Sequence, residues 1–285
     1  MKIGPEKAQE ILFENYNIQG EASILPGELD ANFKIKCSEK TSYILKVSPP
    51  NANEKELEFQ ERLLSYLHAQ NKDIVAPQLV LDQRGETISK YTSDDGKIHK
   101  IRLLTWIDGR LWSSVNPQLD DLRYSLGEQC GKLTRALHGF DHKQAHRSFQ
   151  WDVAQSLWTR DHLHLFNSEE QELLEYFQNM FEASLSAYNN LRKGVIHNDA
   201  NDNNIVVSAD LVHPKVQAII DFGDAIYTQI INDVAIEYIG EDIWISIAGC
   251  QAVMYCMMCY KCEHVGQVRT SVASKVPLSL TSILL

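Results

Sequence analysis

The segment from Val195 to Val206 constrains this chain more than any other. An apolar strand leads into a dense polar turn, His197-Asn198-Asp199-Ala200-Asn201-Asp202-Asn203-Asn204, and a second apolar strand follows. Turn geometry alone accounts for part of this composition, because Asn and Asp tolerate left-handed backbone and hydrogen-bond to their own backbone. A polar hairpin without chemistry is therefore one interpretation of the segment, and a catalytic turn is the other.

A second acidic turn favours the catalytic interpretation. Asp221 follows the apolar residues Ile219 and Ile220 and precedes Phe222-Gly223, and a carboxylate buried there is costly unless a cation offsets it. The order His-x-Asp, Asn five residues later, then Asp-Phe-Gly is typical of a phosphotransferase catalytic loop. Asp199 would then be the catalytic base, and Asn204 and Asp221 would supply the oxygen ligands that suit Mg²⁺.

Phosphate chemistry also needs a cation from the protein. Lys46 is the lone charged residue of the apolar strand segment Tyr43-Ile44-Leu45-Lys46-Val47, as in the strand lysine that binds nucleotide phosphates in kinases. Its partner should be an acid on the next helix. Four acids of this predicted helix are candidates for the partner of Lys46, namely Glu54, Glu56, Glu58 and Glu61.

The expected glycine-rich phosphate loop is weak in this sequence. Neither Gly-x-Gly-x-x-Gly nor Gly-x-x-x-x-Gly-Lys occurs, which excludes a Rossmann fingerprint and a P-loop. In the segment Leu25-Pro26-Gly27-Glu28-Leu29-Asp30-Ala31-Asn32-Phe33, only Gly27 can approach a phosphate without a side chain in the way. Gly27 is therefore the candidate residue for that contact.

The order of predicted elements favours an α+β protein built from two lobes. Strands dominate the first part of the chain, and helices dominate from Pro117 onward, with one hairpin at 205–220 among them. We expect an N-terminal nucleotide-binding lobe over residues 1–105, a C-terminal catalytic lobe over 106–236 and a divergent tail over 237–285. The main elements predicted by periodicity are helices at 5–16, 53–67, 119–140 and 169–191, a hairpin at 21–37 and strands at 42–47, 78–81, 87–90, 99–106 and 194–196.

Composition narrows the partners and the compartment. The chain has 285 residues with 27 Lys+Arg and 38 Asp+Glu, a net charge of −11, which argues against a nucleic-acid partner and suits a small cationic substrate. The N-terminus lacks the apolar core of a secretory signal, so we expect a cytoplasmic protein.

Residues 243–260 carry no formal charge. A buried helix is the preferred interpretation of this run, and a membrane span is left open. Nothing here indicates the oligomeric state.

Taken together, these residues resemble the aminoglycoside phosphotransferase/choline kinase family, and within it the hydroxylysine kinases and their bacterial relatives. The resemblance covers about residues 1–236. It implies a protein-kinase-like two-lobe fold and phosphoryl transfer from GTP or ATP, with Mg²⁺, to the hydroxyl of a small amine, 5-hydroxy-L-lysine being the expected acceptor. Besides the two catalytic motifs, it is carried by Leu25–Phe33, Leu57-Glu58-Phe59-Gln60, Arg102–Arg110, Gly139-Phe140-Asp141-His142 and Trp151-Asp152.

The resemblance also implies roles for individual residues. It favours Glu58 as the partner of Lys46, and it makes Leu104 to Trp106 the hinge that holds the nucleotide base. An ammonium group on the substrate would need further acids, for which Asp202 and Asp152 are the candidates.

The C-terminal part departs from the family pattern. Relatives continue past Asp233-Val234-Ala235 with several helices that complete the substrate lobe, whereas residues 237–285 are unlike that region and too few to replace it. We therefore expect an incomplete or divergent C-terminal lobe. The alternative to an active enzyme is a catalytically impaired pseudokinase or truncated isoform that binds nucleotide only.

Overall fold

The computed structural model describes residues 3–70 and 73–239, and these residues form the mixed α+β architecture expected from the sequence. They fall into two compact units, one of residues 3–70, 73–147 and 194–227, and one of residues 148–193 and 228–239. The predicted lobe boundaries at residues 105 and 236 do not coincide with these units and stay a prediction. The apolar run at 243–260 and most of the 237–285 tail lie outside the described residues.

A six-stranded antiparallel sheet organises the first unit. The strands run in the order β1-β2-β3-β6-β4, and β5 pairs with β6. Alternation along each strand places apolar side chains such as Phe33, Leu45 and Leu103 on one face and Lys46 on the other. The strands are β1 Glu21–Leu25, β2 Ala31–Lys36, β3 Ser42–Val47, β4 Leu79–Val80, β5 Ser89–Thr92 and β6 Ile98–Thr105.

One helix packs against each face of this sheet. Helix α1, Pro5–Tyr16, buries Ala8, Ile11, Leu12 and Tyr16 in the cluster that contains Phe33 and Leu45. Helix α2, Glu54–Gln70, buries a second set of leucines and Phe59 in a separate cluster. Both helices follow the apolar spacing that predicted them, because side chains three and four residues apart share one helix face.

The rest of the first unit continues the core of α2. Strands β7 Arg110–Leu111, β9 Ile205–Val207 and β10 Val216–Ile219 form a three-stranded sheet in the order β10-β9-β7, and helix α3, Asp120–Ala136, contacts β10. The hairpin of β9 and β10 was predicted. Strand β7 was not predicted. Short 3-10 helices occupy Trp112–Ser114, Lys143–His146 and Phe222–Asp224.

Two short strands, β8 Lys193–Ile196 and β11 Ile226–Gln229, pair with each other. The sequence did not predict β11.

The second unit contains a 3-10 segment, Val153–Leu165, and helices α4 Ser168–Tyr188 and α5 Ile231–Ile239. Helix α4 begins at a capping box between Asn167 and Glu170. Across residues 3–70 and 73–239, no helix combines the length and apolarity needed to cross a membrane.

Candidate active site

Lys46 and Asp221, which lie 175 residues apart in the sequence, meet in the first unit. The Nζ atom of Lys46 lies 3.2 Å from each carboxylate oxygen of Asp221. Partial burial opposes ionisation of Asp221, but the Lys46 ammonium outweighs it, so the pKa of this carboxyl lies below its ordinary value. The structure therefore brings together the strand lysine and the acidic turn that the sequence singled out separately.

The backbone at the two acidic turns is unusual. Asp221 has φ 65° and Asn198 has φ 67°, both in the left-handed region that non-glycine residues rarely adopt. A hydrogen bond of 2.8 Å from the Ile220 amide to the Asn204 carbonyl ties the two turns together. Such strain persists only where the surrounding structure holds it, and it is frequent at functional sites.

Asp199 is held by two asparagine amides. Asn201 donates from Nδ2 to Oδ1 at 2.7 Å, and Asn204 donates from Nδ2 to Oδ2 at 2.7 Å and to the Asp199 carbonyl at 2.8 Å. Burial, and then the charge of Asp224, raise the pKa of Asp199 to about 7 in spite of these hydrogen bonds. A carboxylate with such a pKa is suited to accept a proton near neutral pH.

His197 connects the two turns and does not reach outward. Its Nε2 lies 3.0 Å from the Ile220 carbonyl and donates to it, while Nδ1 accepts from the Asp199 amide at 3.2 Å. The ring is fully buried, and burial lowers the pKa of His197 to about 4. A neutral imidazole that packs edge-on against Phe222 is therefore a structural link between the two turns.

The side chains of Asn204 and Asp221 carry the oxygens that were predicted as magnesium ligands. Because Asn204 donates its Nδ2 to Asp199, its carbonyl oxygen Oδ1 points away from Asp199 and is the atom that would bind the ion. Among the residues that the structure describes, no group of three or more His, Cys, Asp or Glu side chains is placed to hold a metal. A Mg²⁺ ion here would thus have few protein oxygens and would complete its shell with phosphate and water, which is its usual preference.

Gly27 is required by the packing of its own loop. A Cβ atom at this position would overlap Nδ2 of Asn32 and would lie 2.6 Å from the Asp30 carbonyl. The same Asn32 amide donates to the Pro26 carbonyl at 3.0 Å. The glycine therefore lets the loop close onto the sheet, and its predicted approach to a phosphate stays a prediction.

Glu58 does not contact Lys46 in the described structure. Its side chain is 52% exposed, and Oε1 lies 3.8 Å from Arg62 one turn along α2. The buried Leu57 and Phe59 set the rotation of the helix, and that rotation places Glu58 on its exposed face. The acid that contacts Lys46 is Asp221, so the Lys46–Glu58 pair is not formed in this structure, and a role for Glu58 stays a prediction.

The predicted hinge runs along the end of β6. Leu104 is buried in the core cluster of α2, and the Thr105 and Trp106 amides donate to the carbonyls of Gln78 and Ser42. The Nζ of Lys34 lies 4.1 Å from the centre of the Trp106 ring. These two amides serve the sheet, so a nucleotide base at this hinge would meet its carbonyls and side chains.

The two predicted substrate acids lie in different settings. Asp202 is half-buried, its pKa is raised by burial, and its backbone carbonyl accepts from the Ser113 amide. Asp152, in the second unit, is 4% exposed and accepts from Ala154 N, Thr228 Oγ1 and Gln155 Nε2. A substrate contact by Asp152 stays a prediction and would require these hydrogen bonds to be exchanged.

Arg147 was missed by the sequence reasoning. Its guanidinium donates to the carbonyls of Ala225 at 2.8 Å and Gly223 at 3.5 Å, and to Gln144 at 3.3 Å. It also lies 5.8 Å from the Phe59 ring centre. Arg147 thus holds the turn that carries Asp221, and no local pattern around His146-Arg147 indicates this.

Asp224 was also missed, although its position directly after Asp221-Phe222-Gly223 was a usable signal. Burial and the nearby charge of Asp221 raise the pKa of Asp224 to about 6, while Arg147 opposes that rise. Burial first, and then the charge of Asp224, in turn raise the pKa of Asp199. Such perturbation is typical of catalytic centres.

Comparison with known proteins agrees with this geometry. A family model described as "Phosphotransferase enzyme family" matches residues 21–255. The match runs past residue 236, where the sequence resemblance was expected to end, so that expectation was wrong. None of the curated proteins matches the chain.

Solved structures with the same fold are distant in sequence. Amicoumacin kinase hAmiN in complex with AMP-PNP, Ca²⁺ and Ami has 15% identity and a TM-score of 0.66, with 96% of this chain and 95% of that chain covered. A microcompartment-associated aminopropanol kinase has 18% identity and a TM-score of 0.66, over 90% and 80%. The GDP complex of wild-type aminoglycoside 2'-phosphotransferase-IIIa has 14% identity and a TM-score of 0.64, over 95% and 96%.

Proposed function

We propose, from the premise that this chain belongs to the phosphotransferase enzyme family, that it is a cytoplasmic small-molecule kinase. It transfers the γ-phosphate of GTP or ATP to a hydroxyl group of an amine. The observation that carries the proposal is the contact of Lys46 with Asp221, 3.2 Å from Nζ to either oxygen, with Asp221 tied by its turn to Asn204 and Asp199. Cation, metal ligands and base thereby occupy one region of the first unit.

Donor binding is assigned to Lys46, Asn204 and Asp221. When nucleotide enters, Lys46 exchanges its contact with Asp221 for the donor phosphates, and the Asp221 oxygens become available as ligands. Mg²⁺ bound there would neutralise the charge that develops on the transferred phosphoryl group. Gly27 and the Leu104–Trp106 hinge are proposed to contact the phosphates and the base, respectively.

Proton transfer is assigned to Asp199. Its two asparagine donors orient the carboxylate, and a pKa of about 7 leaves a large ionised fraction at neutral pH. Asp199 therefore orients the acceptor hydroxyl and takes its proton as the new oxygen–phosphorus bond forms, while the bond from the γ-phosphorus to the bridging oxygen breaks and GDP or ADP leaves. His197 stays neutral and holds the turn in place.

The proposed acceptor is an amino alcohol, with 5-hydroxy-L-lysine the first compound to test. The net charge of −11 favours a cationic substrate, and the half-buried Asp202 is a candidate partner for its ammonium group. The substrate named for one structural neighbour, aminopropanol, is likewise an amino alcohol.

A screen of acceptors tests the proposal. The full chain is incubated with Mg-GTP or Mg-ATP and with 5-hydroxylysine, choline, ethanolamine, homoserine, aminopropanol or an aminoglycoside, and phosphorylated product is measured. Thermal shift with each nucleotide is measured in parallel. Product with at least one acceptor is expected. Nucleotide binding without product from any acceptor would instead support the nucleotide-binding pseudokinase.

A further inference from the structure

Arg102 lies beside Lys46 in the sheet. The register of β3 and β6 pairs Lys46 with Arg102, and the register of β2 and β3 pairs Lys46 with Asn32. Cross-strand partners point to the same face, so these three polar side chains form one row across the sheet. Two cations in adjacent positions repel each other unless an acid neutralises one of them.

The guanidinium of Arg102 divides its hydrogen bonds between two elements. Nη2 donates to Oδ2 of Asp30 at 2.6 Å, and Nη1 donates to Oε1 of Gln60 at 2.5 Å. The side chain of Arg102 is 6% exposed and that of Asp30 is 15% exposed, so this ion pair is buried. Asp30 thus neutralises the cation that would otherwise repel Lys46.

Each partner belongs to a part of the proposed site. Asp30 ends the Gly27 loop, whose other end is fastened by the Asn32 amide to the Pro26 carbonyl. Gln60 projects from α2 toward the acidic turn, where its Nε2 lies 4.0 Å from the position of a Cβ on Gly223. Arg102 is therefore a single side chain that joins the loop, the lysine strand and the helix that approaches the Asp221 turn.

We propose that Arg102 is a positioning residue for the donor nucleotide. By binding Asp30 and Gln60, Arg102 fixes the position of the Gly27 loop, residues 26–30, relative to Lys46. This inference rests on the proposed function. Arg102 itself does not contact the donor, because its guanidinium is buried and two of its nitrogens are engaged. Its effect is to pre-organise the loop, so that nucleotide binding does not have to order it.

Three variants separate positioning from mere stability. Arg102→Met leaves Asp30 buried without its cation and is expected to lower Tm and to weaken nucleotide binding. The double variant Asp30→Leu/Arg102→Met removes both charges, which buried ion pairs usually tolerate, so its Tm should recover. Arg84→Met removes an arginine from another Arg–Asp pair of the same unit and serves as the matched control.

The measurements are Tm, the Kd for GTP and ATP with Mg²⁺, and steady-state kinetics that give the nucleotide KM and kcat separately. The double variant is expected to regain Tm yet to keep a nucleotide Kd and KM raised by at least about tenfold, with kcat changed less. Arg102→Lys, which reaches only one partner at a time, should fall between parent and Arg102→Met.

Two results would overturn the inference. If the double variant recovers nucleotide Kd together with Tm, Arg102 acts on stability alone. If Arg102→Met binds nucleotide as tightly as the parent and the Arg84→Met control, the loop does not depend on it. In both cases the parent still binds nucleotide, so the proposed function stands. Absence of nucleotide binding in the parent would overturn the proposed function, and this inference with it.

Discussion

Asn204 donates its side-chain amide to both the carboxylate and the backbone carbonyl of Asp199, at 2.7 and 2.8 Å. One residue therefore orients the proposed base with its nitrogen, while its oxygen is directed away from Asp199. This double use explains why the two residues occur five positions apart in a turn: the amide must reach back across the turn to the acid that opens it. The relationship gives the proposed reaction a defined geometry for proton transfer.

The first prediction concerns the base. Asp199→Ala is expected to lower kcat by roughly 10²–10⁴-fold, because the acceptor proton loses its positioned base. The Kd for Mg-nucleotide should change little, since Lys46, Asn204 and Asp221 are retained. Steady-state kinetics and calorimetric titration check the two parts separately. Full activity in this variant would refute the assignment of Asp199.

A second prediction follows from the pKa of Asp199, about 7, which burial and the charge of Asp224 raise. The ionised form is the active one, so kcat/KM should fall below about pH 7 and level off above it. A bound cation would move this limb to lower pH. Asp224→Asn removes a negative neighbour and should also move the limb to lower pH, as measured by pH–rate profiles of both proteins. If the limb does not move on this substitution, the charge of Asp224 does not raise the pKa of Asp199.

Arg147 provides a third prediction. Arg147→Met removes the donors to the Gly223 and Ala225 carbonyls, so the turn that carries Asp221 loses its support. The Mg²⁺ concentration for half-maximal activity should rise about 10–100-fold, the usual effect of removing a residue that supports a ligand. Arg160→Met, which removes an arginine from an exposed pair with Glu182, is the matched control and should leave Mg²⁺ dependence unchanged. Equal Mg²⁺ dependence in both variants would contradict the role of Arg147.

A fourth prediction concerns stability. The buried carboxylate of Asp82 accepts from the amides of Arg84 and Glu86, from the Arg84 guanidinium and from Ser89 Oγ. Burial opposes ionisation, but these hydrogen bonds together outweigh it and lower the pKa of Asp82 from 3.8 to about 2. The lowered pKa corresponds to about 2 kcal/mol of stability that is present above pH 3.8 and lost as pH falls toward 2.

Denaturant unfolding of the parent and of Asp82→Asn tests this. The variant should be less stable at pH 7, and the difference should shrink as the pH is lowered from 4 toward 2. A difference that stays constant over that range would show that the lost stability does not come from the ionised form. Asp210→Asn is the control, because the Asp210 side chain lies on the surface and its carboxylate accepts from the Val212 and His213 amides of its own turn.

Local sequence was sufficient for most of the elements and for the chemistry of the turns. Apolar periodicity predicted α1, α2 and the strands of the large sheet, because a buried helix face or strand face must repeat with the period of its backbone. The order of Asp199, Asn204 and Asp221 between apolar strands predicted the residues that the fold brings together. Strands β7 and β11 were not found this way, although equally short strands such as β4 and β9 were.

Only the tertiary structure decided which residues meet across long separations. The rotation of α2, set by the burial of Leu57 and Phe59, turned Glu58 outward and left Asp221 as the partner of Lys46. Strand register likewise set Arg102 beside Lys46 and within reach of Asp30. The chemistry of a side chain determines which groups it is able to bind. Which of these groups it contacts depends on how distant elements pack together, and a local sequence pattern does not contain that information.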